Sequence, residues 1–313
     1  MKLDVIVPCF NEEGNLLLFN ETLKKELVNI DYQVIYVNDG STDNTYNVLK
    51  EIYNENKSNT KVINFSRNFG KDAAIYAGMV HSKSKYAAVI DADMQQHPKY
   101  LIKMLDFLEN NPDYDQVAMV NKERNNDNGL TKILKRLFYK FINLISDTTF
   151  KEDASDFRMF TNTAVKAIVN LGEINRFSKG IFSWIGFKTK YMEYKVEKRH
   201  SGKSNFNLIK SFKYAFNGII NFSIKPLRLA TITGFLTSSI AFIYFIIMII
   251  ETLIKGNDVP GYPSIICLIL ILGGINLMAI GIVGEYIGKI YLEIKKRPIY
   301  ITKDTLGFDD DIL

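Results

Sequence analysis

Cysteine and histidine are scarce: 313 residues hold two cysteines and three histidines. Cys9 falls in an expected strand and Cys267 in an apolar run, so there is neither a disulfide framework nor zinc-ligand spacing. The histidines lie far apart in sequence and make no recognisable ligand set. No G-x-G-x-x-G follows the first expected strand and no G-x-x-x-x-G-K-[ST] occurs anywhere, which excludes a dinucleotide fingerprint and a Walker loop. Internal repeats at solenoid periods and low-complexity linkers are also missing. The opening apolar stretch, Leu3 to Phe10, is too short for a signal peptide and runs at once into Asn11-Glu12-Glu13. The polar part is therefore expected to begin in the cytoplasm.

Apolar residues make up 47% and charged ones 23%, both ordinary, so the information lies in how they are spread. Leu229 to Ile250 and Ser264 to Val283 are almost unbroken apolar runs. Each reaches the ~20 residues that a helix needs to cross a bilayer, and neither has the polar stripe of a helix on a soluble core. Lys225 and Arg228 precede the first run, Lys289, Lys295, Lys296 and Arg297 follow the second, and the connection 251–263 holds only Lys255. The positive-inside bias then puts both ends in the cytoplasm and the connection outside, a two-span protein of the cell membrane. The expected divisions are a polar domain at 1–206, a juxtamembrane region at 207–228, the spans at 229–287 and a C-terminal tail at 288–313, its last residues acidic and loose. Leu130 to Ser146 is a basic amphipathic stretch that either lies on an anionic leaflet or packs on the polar domain. Asn207 to Ser223 has a similar composition and runs toward the first span, which favours the interface. Nucleic acid is a poor explanation of these basic residues in a chain anchored by two spans. Gly273-Gly274, Gly281 and Gly284 allow close helix approach, which leaves a homo-oligomer open.

Strand and helix signals alternate through the polar part. Leu3 to Phe10, Gln33 to Asp39, Lys61 to Ser66, Tyr86 to Asp91 and Gln116 to Asn121 read as strands. Helical stretches lie near Glu13 to Val28, Asn44 to Asn54, Lys71 to His81 and Lys99 to Glu109. Alternation of this kind gives an α/β fold with a mostly parallel sheet and crossover helices. Ligands bind such sheets at the carboxyl ends of the strands, and there the polar residues gather, in PCFNE, VNDGSTD, SRNFGK and DADMQ. Asp91 and Asp93, at i and i+2 on an extended segment, point the same way and repel unless a cation or water separates them. Two readings are open: a divalent-metal pair, or a strand-to-helix turn with Asp93 as a cap and Pro98 starting the next helix. Ser41, Thr42 and Asp43 are better read as caps.

The ordered series PCFNE, VNDGSTD, RNFGK and DADMQ resembles glycosyltransferase family 2, of GT-A (Rossmann-like) fold, and most of all its polyprenyl-phosphate branch. Ser155-Asp156-Phe157-Arg158 resembles that branch's acceptor-side aspartate motif, and Arg199-His200-Ser201-Gly202-Lys203-Ser204 its R-x-x-G-x-S loop. With the two spans, the likeness covers nearly the whole chain. It implies Pro8, Glu12 and Asp39 around a nucleotide, Lys71 lining the donor pocket, and Asp91, Asp93 and Gln95 holding Mg²⁺ or Mn²⁺ with the sugar nucleotide's diphosphate. Asn38 stands where the commoner D-D-G-S has its first aspartate, and His97 is assigned no chemistry.

A metal held by hard oxygens would stabilise the charge that grows on the leaving diphosphate. A polyprenyl phosphate acceptor is already ionised near neutral pH, so positioning matters more than a strong base. On this reading Asp156 either orients the attack or takes a residual proton, and Asp93, Asp156 and Arg199 carry the catalysis. Arg158, Arg199, Lys203 and Ser204 hold phosphate oxygens, although a strand-end salt bridge is an equal reading of Arg158. Attack in one step inverts the anomeric carbon. The two-span arrangement is more like the bacterial enzymes, which points to UDP over GDP, with glucose or an N-acetylhexosamine as the sugar. A processive polysaccharide synthase would usually carry Q-x-x-R-W and more spans, and neither is present. An inactive membrane scaffold of the same fold is the other rival, opposed by the intact D-x-D-x-Q.

Overall fold

β-branched and aromatic runs form the strands, and the amphipathic stretches between them form helices that carry the chain back across the sheet. A computed structural model of the chain describes residues 1–121, 154–197, 223–255 and 261–308. In chain order the elements are β1 (Leu3–Cys9), α1 (Leu16–Glu26), β2 (Tyr32–Asn38), α2 (Thr45–Glu55), β3 (Thr60–Phe65), α3 (Lys71–Val80), β4 (Tyr86–Val89) and α4 (Lys99–Asn110). There follow β5 (Gln116–Asn121), β6 (Ala154–Thr161), α5 (Asn162–Asn170), α6 (Ser178–Trp184), β7 (Thr189–Tyr194), α7 (Lys225–Lys255), α8 (Tyr262–Ile294) and β8 (Thr302–Leu306).

Among the described residues the sheet has eight strands, ordered β7-β5-β6-β4-β1-β2-β3-β8. The centre, β4-β1-β2-β3, is parallel, as the alternation predicts. Its flanks are mixed: β6 runs antiparallel to both β4 and β5, while β7 is parallel to β5. Side chains alternate across the sheet. Val5, Val7 and Tyr36 pack with Leu16 and Phe19 of α1, Leu49 of α2 and Leu101 of α4. Ile6 and Val89 face the other way, against Ile75 of α3, Val165 of α5 and Ile181 of α6, and Ile35 and Ile63 meet Ala74 and Ala77 of α3. The result is a sheet covered by helices on both faces. α3 lies so close to β1 that a Cβ added at Gly78 would stand 2.2 Å from Ile6 Cγ2.

Two expectations change. The fourth strand stops at Val89 and not at Asp91, because the backbone N–H of Asp91 turns to the Gln96 side-chain oxygen, 3.0 Å away, and leaves the ladder. The tail after the spans is an integral part of the sheet: β8 pairs antiparallel with β3, the Ser66 N–H donates to the Ile301 carbonyl at 2.9 Å, and Tyr300 stacks on Phe65 at 4.9 Å. Tyr46 of α2 donates to Asp304 at 2.7 Å, fixing β8 from the helical side.

α7 and α8 pack along each other, and 225–251 and 271–294 are long and apolar enough to cross a membrane. The first helix begins at Lys225, inside the expected juxtamembrane region. Among the described residues, a Cβ added at Gly273, Gly274, Gly281 or Gly284 would meet nothing within 4 Å. The basic stretch 130–146, most of 207–223, and Arg199, Lys203 and Ser204 lie outside the described residues.

Candidate active site

The carboxyl ends of β1, β2 and β4 and the start of α3 enclose a cleft of about 380 Å³. Pro8, Glu12, Asp39, Lys71, Asp91 and Asp93 all line it, so six of the residues singled out in the sequence come together.

Its loops are stitched to one another by side chains. The Asn11 side-chain oxygen accepts the Thr42 N–H at 2.9 Å, the Glu13 carboxylate accepts the Asn44 N–H at 2.8 Å, and the Glu12 N–H donates to the Thr45 hydroxyl at 2.8 Å. Asp43 accepts the Thr45 N–H at 3.0 Å at the start of α2, a capping role. Asn38, buried at the end of β2, donates to the Asn64 side-chain oxygen at 2.8 Å and accepts from Ser41, so the residue that replaces an aspartate works as an amide. Gly40, at φ +60°, lets the β2–α2 loop press on the β3–α3 loop, where a Cβ would lie 2.2 Å from the Arg67 carbonyl carbon. Through that approach Asp39 reaches the N–H groups of Phe69 at 2.6 Å and Gly70 at 3.0 Å. Burial pushes the Asp39 carboxyl up, and the two N–H groups oppose it. Asp39 is thus at the cleft floor, but its charge is directed at the loop before α3.

Opposite, the lining residues Lys71 and Asp91 belong to a charge cluster that reaches back to Asp156, which does not itself line the cleft. Lys71, first residue of α3, places its ammonium 2.7 Å from Asp91 and 3.2 Å from Asp156 of β6. Burial by itself would lower the lysine's pKa, but the two carboxylates reverse this and raise it above its ordinary value. Burial likewise pushes the Asp156 carboxyl up, and Lys71, Lys179 and Arg158 overcome it, bringing it down to about 2. A carboxylate held that low stays ionised and is a weak base, so of the two roles open to Asp156 the arrangement suits orientation. One of its oxygens, Oδ1, is buried without a hydrogen bond among the described residues.

Arg158 departs from the expected phosphate contact. Only 2% exposed, it donates to the Ser155 carbonyl at 3.2 Å, stands 3.5 Å from the Gln116 side-chain oxygen and lies 5.2 Å from the centre of the Phe182 ring. Its charge helps to lower the Asp156 carboxyl from within the protein, and almost none of it meets solvent.

Asp91 follows the strand without belonging to it, Asp93 sits on a turn, and Met94 takes a left-handed φ of 64°. The i, i+2 geometry that would aim Asp93 and Gln95 at one cation is therefore broken. The Gln95 N–H donates to Asp93 Oδ1 at 3.0 Å and its carbonyl accepts the Glu197 N–H at 3.2 Å; Gln95 does not line the cleft. The neighbouring Gln96, buried, does what the sequence did not reveal. It accepts the Asp91 N–H at 3.0 Å and donates to the Asp91 carboxylate at 3.1 Å and the Ser155 hydroxyl at 3.3 Å. No periodicity signals such a contact, because it depends on the turn. His97 accepts the Lys99 N–H through Nδ1 at 3.1 Å and merely starts α4.

No group of three or more His, Cys, Asp or Glu among the described residues is placed to hold a metal ion. The donors fit a divalent cation only in part: Asp91 and Asp93 offer hard oxygens, and a phosphorylated ligand must supply the others.

The segment that builds the parallel strands and this charged cleft is also the segment that a family model matches. The chain belongs to glycosyl transferase family 2, whose sequence model matches residues 4–169. It is therefore a glycosyltransferase of GT-A-like fold, and the GtrB C-terminal hairpin matches residues 225–290, over the two long helices. The chain is 42% identical to the provisionally named glycosyltransferase CsbB of Bacillus subtilis (strain 168), over 96% of this chain and 91% of that one. It is 34% identical to an uncharacterised glycosyltransferase of Synechocystis, over 99% and 97% of the two chains. With a prophage bactoprenol glucosyl transferase homolog of Escherichia coli (strain K12) it shares 38% identity over 97% and 99%.

Proposed function

We propose that the chain transfers a hexose from a UDP-sugar to a polyprenyl phosphate at the cytoplasmic membrane face, with a divalent metal and with inversion. The observation that carries this reading is the cleft itself, where Glu12, Asp39, Asp91 and Asp93 surround a lysine paired to a strand aspartate, in a chain with two apolar helices. Relatives named as bactoprenol glucosyl transferases, matched over nearly their whole length, support the acceptor and favour glucose. The return of the chain to the sheet through β8 supports a hairpin of two crossings with both ends on one side, and the basic residues flanking the spans favour the cytoplasm.

The chemistry follows from the charges. A divalent cation held by Asp91 and Asp93 with the donor's diphosphate would supply neutralisation of the leaving group. Lys71 keeps a fixed positive charge between the donor carboxylates and Asp156. Asp156, ionised throughout the physiological range, stabilises the positive charge that develops on the ring and holds Lys71, whose ammonium orients the incoming phosphate. The acceptor needs no deprotonation, since the second pKa of a phosphate ester is about 6. Gln96 holds Asp91 in place through both faces of its amide.

The test incubates the purified full chain with undecaprenyl phosphate, Mg²⁺ or Mn²⁺, and a panel of radiolabelled UDP- and GDP-sugars. Labelled lipid from one UDP-sugar, lost on chelation and in Asp93→Ala with the fold intact, is the expected outcome. Near-normal transfer by Asp93→Ala at saturating donor would sink the metal assignment, and a labelled polymer in place of a lipid would favour a processive synthase.

A further inference from the structure

The second long helix does not end free. Glu293, one residue before the end of α8, accepts the Ile174 N–H through both carboxylate oxygens, at 3.0 and 3.2 Å, and the Asn175 N–H at 3.2 Å. Both donors belong to the connection between α5 and α6, and that connection leads to the cleft. Arg176 donates to the carbonyls of Leu171 at 2.5 Å and Ile168 at 3.0 Å, and its guanidinium lies 4.2 Å from the centre of the Tyr76 ring on α3. Phe177 is buried, and the Ser178 N–H donates to Asp72 at 3.0 Å. Asp72 adjoins Lys71, whose ammonium binds Asp91 and Asp156. Polar contacts at Glu293 and Asp72, linked by the short backbone segment 174–178, thus join the end of a membrane-length helix to the acceptor side of the site.

The placement has a physical consequence. A helix that crosses a bilayer has its ends fixed in depth by the thickness of the hydrocarbon, and Glu293 falls at the end of the apolar segment 271–294. A carboxylate that accepts two neighbouring backbone N–H groups makes charge-assisted bonds, stronger than neutral ones, and fixes both distance and direction. Only an acceptor that is itself confined to the bilayer needs such registration; a donor arriving from water does not.

We propose that Glu293 is a positioning residue that sets the depth of the Lys71–Asp156 wall relative to the bilayer, and so governs use of a membrane-held phosphate acceptor without affecting the donor. This rests on the polyprenyl-phosphate reading above. The experiment compares the wild-type chain, Glu293→Ala and Glu293→Gln in lipid nanodiscs, with undecaprenyl phosphate and with a short-chain, water-soluble isoprenyl phosphate as acceptors. Trp184, the only tryptophan and 56% exposed on α6, reports depth through quenching by brominated lipids.

Glu293→Ala is expected to raise KM for the lipid-held acceptor by about tenfold, the scale of a small misplacement, and to leave the short acceptor and the donor KM within about twofold. The Trp184 quenching profile should shift, and hydrogen exchange across 174–178 should quicken. Glu293→Gln keeps an accepting oxygen and should recover most of the difference. Equal losses with both acceptors, or an unshifted quenching profile, overturn the proposal and leave Glu293 as a stability contact only. If the wild-type chain labels neither acceptor, the polyprenyl-phosphate reading fails by itself, and depth registration is decided by the quenching profiles alone.

Discussion

Lys71 and Asp156, one at the start of a helix and the other on a strand reached only after three further described elements, meet at 3.2 Å with Asp91 on the lysine's other side. This lysine is the only described cation in ion-pair contact with either carboxylate. Replacing it as Lys71→Met leaves two acids facing one another, which raises the proton affinity of the pair. Transfer is expected to fall by at least ~100-fold, with Lys71→Arg retaining more because the charge persists. Initial rates at saturating donor measure this; a Lys71→Met enzyme within a few fold of wild type would remove the lysine from the mechanism.

Gln96 predicts a pair of variants of opposite character. On the proposed metal assignment, Gln96→Leu removes the hold on Asp91 and should weaken metal affinity by about tenfold, as loss of an outer contact to a ligand does. Gln96→Glu sets a second carboxylate against Asp91, so it should be worse than leucine near neutrality and recover as the pH falls and the two acids share a proton. Metal titrations of activity at two pH values separate the outcomes.

Asp156 gives a stability prediction with a definite sign. Its pKa is lower folded than unfolded, so it stabilises the fold above the unfolded value near 4, and this contribution fades as pH falls toward about 2. A shift of nearly two units corresponds to roughly 2 kcal/mol. Asp156→Asn should therefore lower stability at neutral pH and flatten the stability profile between about pH 4 and 2. Denaturant unfolding in detergent at several pH values provides the measurement, and parallel profiles for the two proteins would contradict it.

Gly40 and Gly78 separate a site defect from a packing defect. At Gly40→Ala the new Cβ meets backbone atoms at 2.2 Å with φ at +60°, and no side chain can give way. The β3–α3 loop must shift, so donor KM should rise about tenfold. At Gly78→Ala the obstacle is Cγ2 of Ile6, a stiff β-branched side chain buried in β1, so α3 and β1 must part, at a cost of about 1–3 kcal/mol or more. Thermal melts should show the second effect and donor KM only the first.

The parallel centre was legible because it is built from short apolar strands and amphipathic helices in strict alternation. Gln116–Asn121 matches the expected strand and the other four differ mainly at their ends. β6, β7 and β8 were not among the expected strands: their sequences, ASDFRMFT, TKYMEY and TKDTL, mix polar and apolar residues, and the buried run of β6, 157–160, includes a charged arginine. They are strands because the sheet has edges to be paired, which is a tertiary cause. The same division holds in the site. Glu12, Asp39, Lys71, Asp91 and Asp93 announce themselves at strand ends, whereas Gln96, Asp72 and Glu293 act through turns and docked helices that no local pattern records. Arg158 shows the converse: a ligand contact and a strand-end salt bridge were equal readings, and the side chain is buried against the Ser155 carbonyl and the Phe182 ring.

β8 has a practical consequence for anyone wishing to study the catalytic part in solution. Cutting the chain before the first long helix would discard the strand that covers β3 and expose a bare backbone edge, a site for self-association. A water-soluble version has to bring residues 298–308 back, either fused through a linker in place of the hairpin or added as a separate peptide. Success of that graft would show that the sheet is completed from beyond the bilayer anchor, and would make the donor half of the reaction measurable without lipid.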